Sequence, residues 1–239
     1  MTRRRFIADT WDRAANIATL TGDQAAHLSR VLRAEPGQVF DVVAGGFLHR
    51  AEVFAVTESQ VTFTLHEELE MDNPLPIHLL LAVFKFDRFE WAIEKATELG
   101  VANITPILAR RTEKHLAQSA EKRADRWRRI ALEAAKQSRR SDVPTIHPPA
   151  PLKHALATEE AATRILLSET EQQKTLAASL AAHPNNQVAL AIGPEGGWTP
   201  EEMALFTQHH WHHVTLGPRI LRAETAAIAA ISIAASILR

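Results

Sequence analysis

The sequence predicts an α/β protein in two parts, a β-rich N-terminal part followed by alternating strands and helices. Up to about residue 70, short runs rich in Val, Phe and Thr are separated by turn residues. The stretch MDNPLP, residues 71–76, contains two prolines and is typical of a linker. Continuous apolar runs then alternate with helical patterns, as in a mainly parallel sheet. We therefore expect one domain over residues 1–72 and another over residues 73–239.

In the first part, three strands are predicted at QVFDVVAGG, FLHRAEVFAV and SQVTFTLHEEL. A short helix is predicted at AAHLSRVLRAEPG, ending at Pro36-Gly37. In the second part, IHLLLAVF and ITPIL are candidate strands, and Asp87 with Glu90 resembles a capping box at the helix between them. A basic helix over residues 120–138 follows. Three more strands, RILLSE, VALAIG and HHVTLG, precede an alanine-rich C-terminal helix.

A glycine-rich turn, IGPEGG, joins the predicted strand VALAIG to a strongly marked helix start. Thr199 suits the N-cap, Pro200 the first helical position and Glu202 the reciprocal capping partner. Ligands of open α/β sheets bind at such strand-to-helix turns. The spacing G-P-E-G-G does not match a dinucleotide fingerprint, and no G-K-[ST] of a P-loop is present. Taken alone, the motif favours a tight structural turn whose glycines simply adopt positive φ, because glycine-rich turns are common.

Two further loops follow predicted strands. Leu216 to Thr225 reads LGPRILRAET and places two arginines before an acid and a hydroxyl. The segment LSE, residues 167–169, ends an earlier strand. Because the carboxyl ends of parallel strands meet at one edge of the sheet, the three loops are expected to form one pocket.

The composition and the distribution of charge limit the classes of function that the protein can have. The net charge is −1, yet residues 110–140 contain 11 Lys/Arg and four Asp/Glu. Such segregation indicates either a surface for a polyanion or a solvated helix with many ion pairs. With no cysteine, disulfides and thiolate metal sites are excluded. The HHWHH run lacks suitably spaced acidic ligands, so we expect no metal. No apolar run is long enough to span a bilayer, which favours a cytoplasmic protein without membrane contact.

A family resemblance emerges from four segments taken together. HLSRVLRAEPGQ, FEWAIEKATELGVANITPI, IGPEGGWTPEE and LGPRILRAETAAIAAI are similar to the ribosomal RNA small subunit methyltransferase E family of SPOUT methyltransferases. The resemblance implies a PUA-like β-barrel that binds RNA and a C-terminal α/β domain with a deep trefoil knot. It also implies a homodimer that uses S-adenosyl-L-methionine to methylate N3 of one uridine in 16S rRNA, in the decoding region of the small subunit.

The resemblance also implies which residues bind. The expected cofactor-binding residues are Leu167, Ser168, Glu169, Ile192, Gly193, Pro194, Glu195, Gly196, Gly197, Leu216, Gly217, Arg219, Ile220, Leu221 and Thr225. The expected RNA-binding residues are Arg3, Arg4, Arg5, Arg30, Arg33, Lys85, Arg88, Arg111, Gln137, Arg139 and Arg140. Two places depart from the family pattern, Arg110-Arg111-Thr112 and Arg139, and both add positive charge.

For the chemistry, N3 of uracil carries a proton at neutral pH, so a base or a stabilising cation is required. Arg219 and Arg222 are candidates for the cation, and Glu224 or Glu195 for the base. An ion pair between Glu224 and Arg222 is the structural alternative. Two other functions stay open: the same enzyme class acting on another RNA such as tRNA, and a non-catalytic ribosome-assembly factor.

Overall fold

The computed structural model describes residues 5–71, 73–183 and 187–238. The chain separates into two compact units. The first comprises Met1–Asn73 together with Ala135–Asp142, and the second comprises Pro74–Ala134 and Val143–Arg239. Within the described ranges, no helix combines the length and apolar character that crossing a membrane requires.

The first unit is a six-stranded sheet. Its strands are β1 (Arg5–Ile7), β2 (Thr10–Asp12), β3 (Ile17–Thr21), β4 (Val39–Ala44), β5 (Phe47–Val56) and β6 (Gln60–Leu69). Their order is β1-β4-β5-β6-β3-β2, antiparallel except for β1 with β4. The edge strands β1 and β2 are consecutive in the chain, separated by Ala8 and Asp9. The sheet therefore has to curve strongly, and it encloses an apolar core that includes Leu20 and Phe63.

One helical segment interrupts this sheet. Helix α1 (Gly22–Ala26) continues into a π-helical turn, His27–Val31. The segment begins earlier and ends earlier than the sequence predicts. The N–H of Ala34 bonds back to the carbonyl of Leu28, and Arg33 has a φ of 50°, so the helix ends before Pro36-Gly37 is reached.

The second unit is a seven-stranded sheet with helices. Its strands are β7 (Leu75–Ala82), β8 (Val101–Leu108), β9 (Thr145–Ile146), β10 (Ala150–Pro151), β11 (Thr163–Leu167), β12 (Val188–Ile192) and β13 (His212–Val214). Its helices are α2 (Phe86–Glu98), α3 (Lys114–Ser138), α4 (Leu152–Thr158), α5 (Leu176–Ala181), α6 (Pro200–Gln208) and α7 (Ala223–Ile237). Every strand pair is parallel, in the order β10-β8-β7-β12-β11-β13, with β9 beside β8. The predicted α/β class is confirmed.

The sheet of the second unit is buried on both faces, as its apolar strands predict. All five residues of β12 are buried. One face packs on α2, α3 and α7 through residues such as Leu79, Leu190 and Ile231. The other face packs on α4 and α6 through Leu80 and Phe206.

Three local predictions differ from the structure. Strand β7 begins at Leu75, inside the predicted linker, and α3 begins at Lys114, earlier than predicted. The capping box at Asp87 is wrong, because Lys85 is the N-cap of α2 and makes no side-chain cap bond. The carboxylate of Glu90 instead binds Arg123 and Arg126 of α3, at 2.8–2.9 Å.

Candidate active site

Three loops follow neighbouring parallel strands that end at the same edge of the sheet. In the register, Leu166 of β11 lies opposite Ala191 of β12, and Leu167 lies opposite Val214 of β13. The loops after these strands therefore start side by side at the carboxyl edge of the sheet, where α/β proteins bind ligands. We call the segments at residues 167–169, 193–197 and 216–222 the first, second and third loop.

The second loop is a tight turn held by its own backbone. The N–H of Gly197 donates to the carbonyl of Pro194 at 2.8 Å, and Gly197 has a φ of 71° that favours glycine. A Cβ on Gly193 would lie 3.0 Å from Nε1 of Trp198, so the indole occupies the space a side chain would need. The turn then enters α6 through the predicted capping box. Thr199 and Glu202 exchange both bonds, which confirms that prediction.

Arg111 supports the second loop from outside. Its Nη1 donates to the carbonyl of Gly196 at 2.6 Å and lies 3.4 Å from that of Trp198. The next segment of the chain also contributes, because the backbone N–H of Arg110 donates to Oε1 of Glu202 at 2.8 Å. One departure from the family pattern, Arg110-Arg111-Thr112, thus lies against the turn that it helps to hold.

Arg88 joins an acidic side chain of the second loop to one at the start of α7. Its Nη1 donates to Oε1 of Glu195 at 2.8 Å, and its Nε lies 3.9 Å from Oε1 of Glu224. Glu224, in the first turn of α7, is only 5% exposed. Its Oε2 is buried and makes no hydrogen bond to the described residues. Arg88, and not Arg222, is the ion-pair partner of Glu224 within the described chain.

The first loop contacts both of the others. The N–H of Ser168 donates to the carbonyl of Val214 at 3.0 Å, at the base of the third loop. The carboxylate of Glu169 lies beside the second loop, because a Cβ on Gly197 would be 3.3 Å from its Oε1. The three predicted loops are therefore brought together by the fold.

The third loop is the most open of the three. Gly217 has a φ of 117° and bonds through its N–H to the hydroxyl of Thr215 at 3.1 Å. Arg219 and Arg222 are exposed, and Ile220 is 85% exposed, an unusual state for so apolar a side chain. Arg222 is the N-cap residue of α7, so its position is fixed by the start of that helix.

The expected cofactor-binding residues differ in accessibility. Those facing solvent are Glu169, Glu195, Gly196, Arg219, Ile220 and Thr225. Those partly buried are Leu167, Gly193, Gly197, Leu216, Gly217 and Leu221, and those buried are Ser168, Ile192 and Pro194. The loops thus combine a buried floor with an exposed rim of mainly polar and charged residues, and three of their four glycines are partly buried between the two. Such an arrangement suits a small ligand that is held by a few polar groups over an apolar surface.

The expected RNA-binding residues fall into both units. Arg3 and Arg4 lie outside the described residues. In the first unit, Arg30 lies 3.8 Å from Glu58, Arg33 and Gln137 are exposed, and Arg5 donates to the carbonyl of Arg139 at 3.0 Å. Arg140 pairs with Asp142. In the second unit, Lys85 is exposed, whereas Arg88 and Arg111 bind the loops described above.

Both interpretations of the basic helix find support in the contacts. Burial raises the pKa of Glu90, but its hydrogen bonds to Arg126 and Arg123 outweigh this and hold the pKa below its usual value. Arg128 pairs with Asp125 within the helix. Lys122 and Arg129, by contrast, are exposed on α3. Part of the positive charge therefore stabilises the protein, and part of it faces solvent.

Sequence reasoning missed the structural roles of Arg88 and Arg111. Both were expected to contact RNA, because nothing local to either residue connects it to the glycine-rich turn. The contacts join positions far apart in the chain, Arg88 to Glu195 and Arg111 to Gly196. We find no group of three or more His, Asp or Glu in the described chain arranged to hold a metal ion.

Comparison with known proteins gives consistent matches. A model of the RNA methyltransferase domain matches residues 71–235. A ribosomal RNA small subunit methyltransferase E from Synechocystis sp. is 37% identical, covering 90% of this chain and 71% of the relative. The protein of the same name from Bacillus subtilis is 32% identical, covering 99% and 98%.

The fold agrees as well. The crystal structure of a ribosomal RNA small subunit methyltransferase E from Neisseria gonorrhoeae, bound to S-adenosyl methionine, superposes with a TM-score of 0.83. It is 29% identical and covers 99% of this chain and 98% of its own. The relatives match over nearly the whole length and the domain model matches residues 71–235, and the chain therefore belongs to the ribosomal RNA small subunit methyltransferase E family.

Proposed function

We propose that this protein transfers a methyl group from S-adenosyl-L-methionine to N3 of a specific uridine in 16S rRNA, in the decoding region of the small ribosomal subunit. Family membership makes the chain an S-adenosylmethionine-dependent rRNA methyltransferase. The choice of uridine N3 comes from the resemblance in the motifs. The observation that carries the proposal is the meeting of three loops at one edge of a parallel sheet.

The residues at these loops fit the cofactor. Ile220 is 85% exposed, and with Leu216 and Leu221 it offers an apolar wall for an adenine ring. The glycines of the second and third loops allow the backbone to come close to a ligand. When bound, S-adenosylmethionine supplies an electrophilic methyl group on a sulfonium. The protein must then hold the uracil in line and accept its N3 proton.

We choose between the two candidate bases by the contacts of their carboxylates. Oε1 of Glu195 is ion-paired with Nη1 of Arg88 at 2.8 Å, whereas Oε1 of Glu224 lies farther from the same guanidinium, 3.9 Å from Nε. Glu224 keeps Oε2 buried and without a hydrogen bond to the described residues, so it has an acceptor position to offer. We assign the removal of the N3 proton to Oε2 of Glu224. Arg219 and Arg222, both exposed at the same loop, stabilise the negative charge that this leaves on the uracil.

The remaining parts of the proposal concern the RNA and the assembly. The curved sheet of the first unit acts as a PUA-like barrel that binds RNA, and the α/β unit contains a deep trefoil knot. The enzyme works as a homodimer in the cytoplasm. Exposed cations, among them Arg33, Lys85 and Arg139, contact phosphates, which position the substrate without reading its sequence. A uridine inside folded rRNA also has to leave its stack before N3 is accessible.

A methyl-transfer assay tests the proposal. Labelled S-adenosylmethionine is offered with unmodified small subunits, free 16S rRNA and tRNA, and the products are identified by nucleoside mass spectrometry. We expect 3-methyluridine in the 16S rRNA of the subunits. Another methylated nucleoside, or methylation of tRNA alone, would keep the enzyme class and reject the target. Cofactor binding without transfer to any RNA would favour the assembly-factor alternative.

Variants separate the catalytic roles. Glu224→Gln should lower kcat about 100-fold or more while leaving cofactor affinity nearly unchanged, because it removes the proton acceptor. Arg219→Ala should also lower kcat, and an unchanged rate would remove it from the mechanism. The control is Glu201→Gln, an exposed acid at the start of α6. A Glu224→Gln variant that folds, binds the cofactor and keeps the normal rate would show that another group takes the proton.

A further inference from the structure

The second unit contains a cavity away from the three loops. Its volume is about 360 Å³, and it lies between β7, β8, the proline-rich segment at residues 148–151 and helix α4. His78 on β7 reaches it, four residues before that strand ends at Ala82. The cavity also reaches Ala150 and Pro151, which pair with the end of β8, but none of the described residues that line it belongs to the three loops or to the strands β11, β12 and β13 that precede them. A molecule in the cavity is therefore neither the cofactor nor the reacting uracil.

The cavity contains a chain of paired polar groups. Oε2 of Glu159 lies 2.7 Å from Nδ1 of His78, and Nε2 of the same ring lies 2.7 Å from the hydroxyl of Thr105. Oε1 of Glu159 accepts the N–H of Ala161 at 2.8 Å. Burial raises the pKa of Glu159, but the bonds from His78 and Ala161 outweigh it and keep the pKa below its usual value. A charged carboxylate is thus held at the base of the cavity, only 5% exposed.

Neither hydrolysis by a catalytic triad nor binding of an anion fits these groups well. The order carboxylate, imidazole, hydroxyl is that of a hydrolase triad. However, Thr105 lies within β8 and is 7% exposed, so its hydroxyl is not presented to a substrate as on an exposed turn. An anion such as phosphate is disfavoured by the carboxylate. Among the described residues that line the cavity, none is Lys or Arg.

The walls favour a flat, uncharged ring. Pro148, Pro149 and Pro151 contribute rigid apolar surface, and the rings of His78 and His147 lie 5.6 Å apart. Burial, and then the neighbouring His78, lower the pKa of His147, which favours the neutral ring that can both donate and accept a hydrogen bond. The acidic base of the cavity attracts N–H donors. A flat ring with an exocyclic amino group fits between the apolar walls and offers N–H donors to the acidic base of the cavity. The volume of the cavity is at the small end of the range for ligand pockets, as a single ring system requires.

We propose that this cavity binds an unstacked nucleobase with an exocyclic amino group, belonging to the RNA substrate and distinct from the uridine that is methylated. The RNA origin of the base rests on the proposed function. A base bound there anchors a neighbouring part of the RNA while the target uridine lies at the loops. Aromatic and imidazole surfaces that hold unstacked bases are typical of proteins that recognise single-stranded RNA.

Binding of nucleosides tests the cavity independently of methyl transfer. S-adenosylhomocysteine is added to saturation so that adenosine cannot enter the cofactor site, and adenosine, guanosine, cytidine and uridine are titrated by NMR. We expect saturable binding of the three amino-bearing nucleosides and binding of uridine at least several-fold weaker. Equal binding of uridine, or no saturable binding of any nucleoside, would overturn the proposal.

A matched pair of variants locates the binding. Thr158→Trp places a large ring at an exposed residue that lines the cavity, whereas Lys153→Trp makes the same change at an exposed residue of α4 outside the lining. Thr158→Trp should weaken nucleoside binding at least tenfold, and Lys153→Trp should leave it unchanged. Equal losses in both, or in neither, would show that the nucleosides bind elsewhere.

Methyl transfer to small subunits then tests the RNA origin. Thr158→Trp should raise KM for the subunit several-fold with kcat little changed, because the anchoring base lies far from the reacting atoms. An unchanged KM, together with lost nucleoside binding, would mean that the cavity binds a free nucleoside and not the RNA. If the normal enzyme methylates no RNA, the proposed function fails, but the nucleoside titration still decides whether the cavity binds a base.

Discussion

The second and third loops share a Gly-Pro pair but differ in how firmly the protein holds them. Each follows a parallel strand, contains a Gly-Pro pair near its start and leads into a helix. The second loop is held by Arg111, by Arg88 and by the capping box of α6. The third loop leaves Arg219 and Ile220 exposed. One turn is therefore organised before any ligand arrives, whereas the other keeps apolar and cationic side chains that only a ligand can cover.

The largest effect is expected at the helix that supports the second loop. Glu202 is 4% exposed and accepts the backbone N–H groups of Thr199 and Arg110. Glu202→Ala leaves both donors without this partner and should lower the free energy of unfolding by about 2–3 kcal/mol. Urea denaturation measures the change. The neighbouring Glu201→Ala, at an exposed position, is the control and should leave the midpoint nearly unchanged.

A smaller effect is expected from Arg111. Arg111→Ala removes the bond to the carbonyl of Gly196 and should weaken S-adenosylmethionine binding about tenfold, or about 1.4 kcal/mol, by loosening the turn. Arg110→Ala is the matched control, because its contribution to the site is a backbone N–H that the substitution keeps. Calorimetric titration compares the two variants. If Arg110→Ala costs as much as Arg111→Ala, the loss reflects general positive charge and not support of the turn.

The smallest effect is expected at the third loop. Ile220→Ala should change the free energy of unfolding by less than about 0.5 kcal/mol, because the side chain is exposed in the free protein. It should weaken cofactor binding about threefold, since an apolar contact with the ligand is lost. The same substitution at the fully buried Ile231 of α7 should cost about 2–5 kcal/mol and provides the contrast. A stability loss at Ile220 near that of Ile231 would contradict the open third loop.

Local signals predicted the elements well where the signal was strong. The apolar run of β12 and the capping box of Thr199 and Glu202 were confirmed, because each depends on residues a few positions apart. The capping box at Asp87 failed for a tertiary reason, since two arginines of α3 bind the carboxylate of Glu90. A carboxylate can accept a hydrogen bond either from a nearby backbone N–H or from a guanidinium far away in the sequence. The local sequence pattern cannot predict which of the two donors it binds, because tertiary contacts override local preferences.

The candidate active site could be predicted from the sequence about as far as the helices and strands could. The three loops could be placed at one sheet edge because parallel strands end on the same side. What could not be predicted is which side chains support them. Arg88 and Arg111 reach the second loop from elements that lie far from it in the chain. His78 was visible as a single polar residue in an apolar strand, but its pairing with Glu159 required the fold.

The central position of β7 has a consequence for the order in which the chain folds. Leu79 of β7 pairs with Leu190 of β12, so one side of this apolar strand has no partner until much of the chain has been synthesised. Pairings so distant in the chain form slowly, and a waiting apolar edge is open to association with other chains. The edge that bears the three loops is complete only once β13, near the C-terminus, has joined β11. A growing chain therefore carries this unpaired apolar edge from the synthesis of β7 until β12 has been made, and its ligand site is complete only after β13 has followed.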